Sequence, residues 1–268
     1  MDNAPRQRMP VAFFGHGSPT NVLEDNRATR TWAQMAARIG TPRAILCISA
    51  HWCTRGTFVT AMPQPQTIHD FGRSLPAPLF DQQYPAPGSP ELAQRVQDLL
   101  APLPVGLDQD WGLDHGTWSV LKKAWPHADI PVVQLSLDMT KPEEWHYALA
   151  TQLRPLRNEG YLIMGSGNIV HNLGVLQWSD TAFPYPWATR FNDYVKDRIA
   201  SRAFDGLFGI RNRGADAQQA VPSMDHYLPL LYTLGASDAD DDIAFLSDEI
   251  VFSSLSMTSL LAEHRAAA

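Results

Sequence analysis

The sequence has few cysteines, no long hydrophobic run and no basic cluster, and each absence excludes a class of protein. Cys47 and Cys53 are the only cysteines among 268 residues. If one strand ran through both, they would lie ~20 Å apart at ~3.3 Å per residue, too far for a disulfide, so we expect a reducing compartment. No apolar run approaches the ~18–20 residues of a membrane span. The run Val11–Phe14 is too short for a signal peptide. These absences predict a cytoplasmic protein with no membrane partner.

The net charge of −7 is concentrated in one stretch. Residues 238–249 carry six acidic and no basic side chains, so the rest of the chain is nearly neutral. Lys and Arg form no patch, which argues against a nucleic-acid partner. The acidic stretch is most simply a solvated loop. The weaker alternative, calcium binding, lacks the glycine and glutamate spacing of an EF-hand.

Apolar runs rich in β-forming residues alternate with helical patterns along the chain. Hydrophobic residues make up 44% of the chain and charged residues 18%, an ordinary globular composition. The predicted strands are Pro10–Gly15, Arg43–Ser49, Thr57–Met62, Pro131–Leu137, Tyr161–Gly165 and Ile243–Phe252. This pattern predicts an α/β fold, a central mixed sheet with helices on both faces, formed by residues 1–268 as a single domain.

Helices are predicted from amphipathic stripes and from their end signals. They are Arg27–Ile39, a helix capped by Ser89 with Pro90 in its first turn, a helix beginning at Thr140 with Glu143 completing a capping box, Trp187–Phe204 and Asp225–Leu234. Between Pro63 and Pro90, seven prolines interrupt any periodicity. A loop of this length inside a compact domain is usually functional, so we expect a lid or a pocket wall there.

Two histidines follow buried strands directly. His16 comes after the run Val11–Phe14, and His51 comes after Ala44–Ala50. Ligands of open α/β sheets bind at the carboxyl ends of the strands. Imidazoles at two such ends favour a metal or catalytic site over a pair of structural histidines. His16 and His51 are therefore the leading candidates for metal ligands.

His171 also follows a predicted strand, within a segment that invites two other interpretations. The glycines of Gly165–Val170 suggest a dinucleotide fingerprint, but the last glycine position holds Val170. Ser166 lacks the flanking residues of a nucleophile elbow. Neither a nucleotide cofactor nor a serine nucleophile is expected here.

The remaining histidines have weaker local context. His115 and His226, each considered alone, fit helix caps or surface residues better than ligands. Cys53 could share a strand face with His51 in a zinc site, although no second cysteine lies nearby to complete the usual structural set. The histidines expected to be structural or exposed are His127, His146 and His264.

Several segments, taken together and in order, resemble the class III extradiol ring-cleavage dioxygenases, and within them the DOPA 4,5-dioxygenase-like subgroup. They cover most of the chain: Phe14–Pro19, Ser49–Trp52, Tyr84–Gly88, Gly112–Gly116, Asp129–Leu137, Gly165–Asn172 and Asp225–Leu230. Any one of them alone is a weak match, whereas the ordered set is specific.

The resemblance implies a role for each histidine in these segments. His16, His51 and His226 would hold the active-site metal. His171 would be the acid–base residue beside it, able to bind as a fourth ligand in a resting zinc form, and His115 would line the substrate pocket. The further candidates for substrate contact are Trp52, His69, Asp70 and Tyr84.

The implied function is Fe(II)-dependent extradiol cleavage of a catechol by O₂. The broader class has a glutamate as third ligand, which gives the 2-His-1-carboxylate set that suits Fe(II). Here His226 takes that place, and three imidazoles resemble the ligands of catalytic zinc, so we expect zinc in purified protein. A zinc hydrolase and a non-catalytic relative of the same fold are the alternatives. The absence of an obvious glutamate base argues against the first, and the retention of five histidines argues against the second. The oligomeric state is left open.

Overall fold

The computed structural model describes residues 8–179 and 181–265, in which a six-stranded sheet is flanked by helices. The strands are β1 Val11–Gly15, β2 Ala44–Ser49, β3 Cys53–Thr54, β4 Thr57–Thr60, β5 Val105–Asp108, β6 Val132–Gln134, β7 Leu137–Asp138, β8 Tyr161–Gly167, β9 Asp241–Ser247, β10 Ile250–Val251, β11 Leu255–Ser256 and β12 Ser259–His264. The helices are α1 Arg27–Ile39, α2 Pro90–Leu100, α3 His115–Ala124, α4 Glu143–Gln152, α5 Pro155–Asn158, α6 Pro186–Ala200, α7 Ala215–Ala220 and α8 Leu228–Ala236. Short 3₁₀ turns lie at Pro19–Leu23, Ala77–Leu79, Leu173–Val175, Phe204–Leu207 and Ile210–Asn212.

The central sheet has the strand order β6-β2-β8-β1-β12-β9. Strands β6, β2, β8 and β1 run parallel, whereas β12 is antiparallel to β1 and β9 is antiparallel to β12. The predicted mixed sheet is therefore confirmed. Because the parallel strands share one direction, their carboxyl ends meet at one edge, and the chain segments that leave them come together there.

Alternate residues of β1 face two different cores, because successive side chains of a strand point to opposite faces. Val11 and Phe13 pack in a cluster with α2, α4, α6 and α8, while Ala12 and Phe14 pack with α1 and α3. Helices thus cover both faces of a single α/β domain, as the sequence predicts. A strand buried on both sides is a continuous apolar run, which is why β1 was visible in the sequence.

Two helix starts were predicted from capping residues, with different outcomes. The Ser89 hydroxyl does accept from the Leu92 amide at the start of α2, as predicted. The prediction of a capping box at Thr140 is wrong, because α4 begins at Glu143 without a side-chain cap. The Thr140 hydroxyl donates to the Asp138 carboxylate at 2.6 Å instead.

The acidic stretch is not simply the solvated loop that its composition suggests. It contains β9, which begins at the buried residue Asp241. The fully buried Arg157 donates to the two carboxylate oxygens of Asp241 at 2.7 and 2.9 Å, and Arg8 lies 3.0 Å from the same group. These arginines come from distant parts of the sequence, so local composition could not reveal them. The predicted strand Ile243–Phe252 is divided between β9 and β10, and β12 was not predicted.

The two cysteines are both free. Strand β2 ends at Ser49, and Cys53 begins the separate strand β3, so the chain turns between them. Among the helices that the structure describes, none combines the length and apolar character needed to cross a membrane.

Candidate metal centre

His16 and His51 follow the carboxyl ends of β1 and β2, which lie on either side of β8, and their rings meet there. Their Nε2 atoms lie 3.2 Å apart, and the ring of His16 is almost fully buried. Burial, followed by the charges of the surrounding histidines, holds the pKa of both imidazoles well below its usual value. Both rings are therefore neutral and can offer a nitrogen lone pair to a cation.

The tautomer of His16 is set by Ser166 at the end of β8. The Ser166 hydroxyl donates its one proton to the Gly116 carbonyl at 2.6 Å, so towards His16 it can act only as an acceptor. It lies 3.0 Å from His16 Nδ1, which consequently carries the proton. The lone pair of His16 is thereby placed on Nε2, on the side of His51. The sequence around Ser166 does not match a nucleophile elbow, and in the structure the Ser166 hydroxyl orients the His16 ring.

His226 approaches the same two rings from the segment before α8. Its ring centroid lies 5.2 Å from that of His16 and 4.9 Å from that of His51. Its Nδ1 donates to Asp225 Oδ2 at 2.7 Å, so Nε2 is the ring nitrogen left to bind a metal. Its carbonyl accepts from the Asn168 amide at 2.8 Å. A Cβ at Gly167 would lie only 2.3 Å from that carbonyl oxygen, so glycine permits this close approach.

His171 lies flat against His226. The two rings are 3.4 Å apart between centroids, with an interplanar angle of 6°. Burial, and then the neighbouring His226, lower the pKa of His171 to about 3. Its backbone is fixed by a hydrogen bond to the Ala220 carbonyl at 2.9 Å, whereas its ring makes no hydrogen bond to the described part of the chain. The ring is thus a neutral group beside the cluster, free to exchange a proton.

His115 completes the cluster as the first residue of α3. Its ring centroid is 3.8 Å from that of His51. The proline-rich segment supplies Asp70, whose Oδ2 lies 2.9 Å from His115 Nδ1 and 3.6 Å from His51 Nδ1. The shorter contact is an ion-pair distance without the alignment of a hydrogen bond. Phe71 of the same segment lies edge-on to His115 at 5.5 Å, so this loop is a wall of the site.

The donor set fits a divalent metal ion. The ligand nitrogens of His16, His51 and His115 all lie within 4.8 Å of one another, while His226 has the better-fixed tautomer. Distance therefore favours His115 as the third member of the group, whereas His226 lies outside that group and is a candidate through its hydrogen bond to Asp225. The Nε2 atoms of His16 and His51, 3.2 Å apart, share a hydrogen bond when His51 carries its proton on Nε2, and both can offer lone pairs to one cation when His51 carries it on Nδ1. Asp70 and Asp225 add negative charge, and among the described residues their ion-pair partners are histidines alone.

The weaker sequence candidates lie in different places. Asp70 is in the cluster, and Trp52 is buried, with its ring stacked on Trp111 at 5.7 Å. His69 Nε2 lies 2.9 Å from the Gln82 carbonyl. Tyr84 is in the core, and its hydroxyl donates to the Trp125 carbonyl at 2.9 Å, which leaves it no free group for a substrate.

Two polar residues of the site were not singled out as such from the sequence. Asp225 is adjacent to His226, and this adjacency was the one signal available for it. Ser166 lies 150 positions from its partner His16, and no local pattern connects them.

Comparison with known proteins gives a match along nearly the whole chain. The family described as "Catalytic LigB subunit of aromatic ring-opening dioxygenase" matches residues 11–261. A protein of Escherichia coli (strain K12) named "4,5-DOPA dioxygenase extradiol" is 50% identical over 258 residues, 94% of each chain. A protein of the same name from Beta vulgaris is 37% identical over 233 residues, covering 84% of this chain and 85% of its own. The crystal structure of an uncharacterized protein from Escherichia coli K12 superposes with a TM-score of 0.83 at 46% identity, covering 95% of this chain and 99% of that one.

Proposed function

The chain belongs to the LigB family of aromatic ring-opening dioxygenases, and we propose that it catalyses Fe(II)-dependent extradiol cleavage of a catechol by O₂, with DOPA-like 4,5-cleavage as its reaction. The family assignment confirms the resemblance found in the sequence and makes the chain an enzyme that acts on small molecules. Two relatives with 4,5-DOPA dioxygenase in their names, at 50% and 37% identity, support a DOPA-like substrate.

His16, His51 and His226 are the proposed metal ligands. The hydrogen bonds at Nδ1 of His16 and His226 support this choice, since each leaves an Nε2 lone pair on the side of the cluster. Fe(II) held there would supply a redox-active Lewis acid for O₂ and the catechol oxygens. The same three nitrogens suit Zn(II), and we propose that zinc occupies them in protein purified without added iron.

His171 is the proposed acid–base residue. With a pKa lowered to about 3, the free ring is neutral at physiological pH and a weak base, so it would accept a catechol proton only when the negative charge of the bound substrate raises that pKa. Once the substrate has lost a proton, its negative charge raises the pKa of the adjacent imidazole. His171 then holds the proton more strongly. His171 can then return the proton to an oxygen atom later in the reaction. As a residue beside the metal, it can also serve as a fourth ligand to a resting zinc ion.

His115 and the proline-rich loop are proposed to orient the substrate. Asp70 lies on the Nδ1 side of His115, so Nε2 is the ring atom available to a catechol oxygen. Phe71, edge-on to that ring, adds an apolar surface for an aromatic substrate. His69 stays a candidate substrate contact because its ring lies edge-on to Phe71 at 5.7 Å, and Trp52 stays one through the resemblance alone.

The observation that carries the proposal is the convergence of five neutral or carboxylate-paired imidazoles at one edge of the sheet in a LigB-family chain. The test begins with metal-free protein, loaded anaerobically with Fe(II) and then supplied with O₂ and L-DOPA. We expect a yellow ring-opened product that carries both atoms of isotopically labelled O₂.

The controls are the zinc-loaded protein and a catechol with one hydroxyl methylated, neither of which should react. An iron-loaded protein that consumes no O₂ with any catechol would contradict the proposed reaction. Hydrolysis of an ester or amide by the zinc form under the same conditions would favour the zinc hydrolase instead.

A further inference from the structure

Asp225 fixes the ring of a proposed metal ligand and carries a negative charge. His226 Nδ1 donates to its Oδ2 at 2.7 Å, so the carboxylate lies on the outer side of the imidazole, away from the cluster.

The charge of Asp225 is balanced differently from that of the buried carboxylate of Asp241. Asp241 lies against two arginines, Arg157 and Arg8, which neutralise it within the fold. In the described part of the chain, the one ion pair of Asp225 is with His226. Because the partner of this carboxylate is an imidazole and not a guanidinium, its negative charge stays available to a cation held on the other nitrogen of that ring.

We propose that Asp225 is a positioning residue that supplies, through His226, the negative charge that a three-histidine metal set lacks. This inference rests on the proposed function, because it requires a divalent metal ion on His226. A carboxylate on the outer nitrogen of a ligand imidazole fixes its tautomer and orientation and makes its other nitrogen a stronger donor. The metal charge is then offset through one hydrogen bond instead of through a carboxylate ligand.

Asp70 is a weaker counterpart on the other side of the cluster. Its distance of 3.6 Å from His51 Nδ1 exceeds a hydrogen bond, and its 2.9 Å contact with His115 lacks hydrogen-bond alignment. Asp225 is therefore the carboxylate that is coupled most directly to a proposed ligand.

The test separates charge from shape with variants at one position. Asp225→Asn and Asp225→Ser remove the charge, Asp225→Glu keeps it, and Asp216→Asn removes a surface carboxylate paired with Arg190 as the matched control. Two quantities are measured: the Zn²⁺ affinity of metal-free protein by chelator competition, and the Fe(III)/Fe(II) reduction potential of iron-loaded protein. Circular dichroism of each metal-free variant shows whether it is folded.

The charge-removing variants should bind Zn²⁺ about 10–100-fold more weakly than the parent. Their reduction potential should rise, because a nearby negative charge stabilises Fe(III) more than Fe(II). Asp225→Glu should recover most of both quantities, and Asp216→Asn should match the parent.

Three outcomes would overturn the inference. If folded Asp225→Asn or Asp225→Ser binds Zn²⁺ as tightly as the parent, the carboxylate does not act on the metal. If all three variants lose affinity equally with an unchanged potential, the role of Asp225 is purely structural. If the parent itself binds no Zn²⁺, the proposed metal site fails and this inference fails with it.

Discussion

Replacing His171 by alanine tests whether this ring handles protons or holds the metal. The change removes an imidazole that stacks on His226 at 3.4 Å and makes no hydrogen bond to the described residues. Loss of one such ring pair costs about 0.5–1.5 kcal/mol. Since 1.4 kcal/mol corresponds to a factor of ten in an equilibrium constant, metal affinity should fall by no more than about tenfold. The loss of an acid–base group, by contrast, should lower the rate by about 10²–10⁴-fold.

The assay measures bound iron and ring-cleavage rate on the same samples of three proteins: the parent, His171→Ala and His16→Ala. The second variant is the comparison, because His16 has its Nε2 directed to His51 and its Nδ1 fixed by Ser166. We expect His16→Ala to lose iron and activity together. His171→Ala should retain most of the iron and lose the activity.

The result that would refute this reasoning is a metal-free His171→Ala protein that is otherwise folded. His171 would then be a ligand during turnover, and the proposed division between His171 and His226 would be wrong. Full activity in His171→Ala would refute it from the other side, since no proton transfer would then depend on this ring.

Gly167→Ala should weaken metal binding together with folding, because the new Cβ would lie 2.3 Å from the His226 carbonyl oxygen and overpacking costs about 1–3 kcal/mol; parent-like zinc affinity in a chelator titration would contradict the position of His226. Burial lowers the pKa of His146 from the usual 6.5 to about 4, so the unfolded chain takes up a proton that the folded chain resists. The contribution of neutral His146 to the free energy of unfolding is therefore fully present above the unfolded pKa of 6.5. It is lost as the pH falls from 6.5 to about 4, by about 3 kcal/mol at 1.36 kcal/mol per pKa unit. Urea unfolding across that pH window should show the free energy of unfolding falling more steeply for the parent than for His146→Gln, whose amide oxygen can still accept from Tyr232. Equal pH dependence in the two proteins would refute the assignment. Protein prepared without control of iron should contain zinc and show little oxygenase activity, because Zn(II) outcompetes Fe(II) at nitrogen ligands and has no redox chemistry; metal analysis with O₂ uptake decides this, and equal rates for the two metal forms would overturn it.

The parts of the fold that could be predicted are those whose signal is local. Strand β1 and helix α1 were recognisable because a doubly buried strand is a continuous apolar run and an amphipathic helix repeats every 3.6 residues. Strand β12 carries no comparable pattern, yet it lies in the sheet between β1 and β9. Its place depends on pairing with a strand about 250 positions away, as in Val11 opposite Ala262. Periodicity within a segment cannot report such a partner.

The same distinction applies to the site. His16 and His51 could be proposed from the residues themselves, because each follows a buried strand and carboxyl ends meet at one edge. His115 and His226 needed the resemblance to a family, since each alone also fits a cap or a surface residue, and His171, which follows a strand, took its acid–base role from that resemblance. The structure brings all five rings together, and the roles given to them stay proposals. Their hydrogen-bond partners depend on segments far apart in sequence, and these had to be seen in three dimensions.

Within residues 8–179 and 181–265, charge distinguishes the two places where ligand atoms lie close enough for a metal. By distance alone, Asp240, Asp241 and His264 form a candidate group, as do His16, His51 and His115. In the acidic group, Arg8 lies 2.8 Å from Asp240 and 3.0 Å from Asp241, and Arg157 lies 2.7 Å from Asp241. A divalent cation there would face two guanidinium groups that already satisfy the carboxylates.

In the histidine group the balance is reversed. Burial keeps the imidazoles of His16 and His51 neutral, and the nearby carboxylates of Asp70 and Asp225 pair with histidines instead of arginines. Added positive charge is therefore favourable at the histidine group and unfavourable at the acidic group. Proximity of ligand atoms marks both places equally, and only the sign of the surrounding charge makes one of them suitable for a catalytic metal.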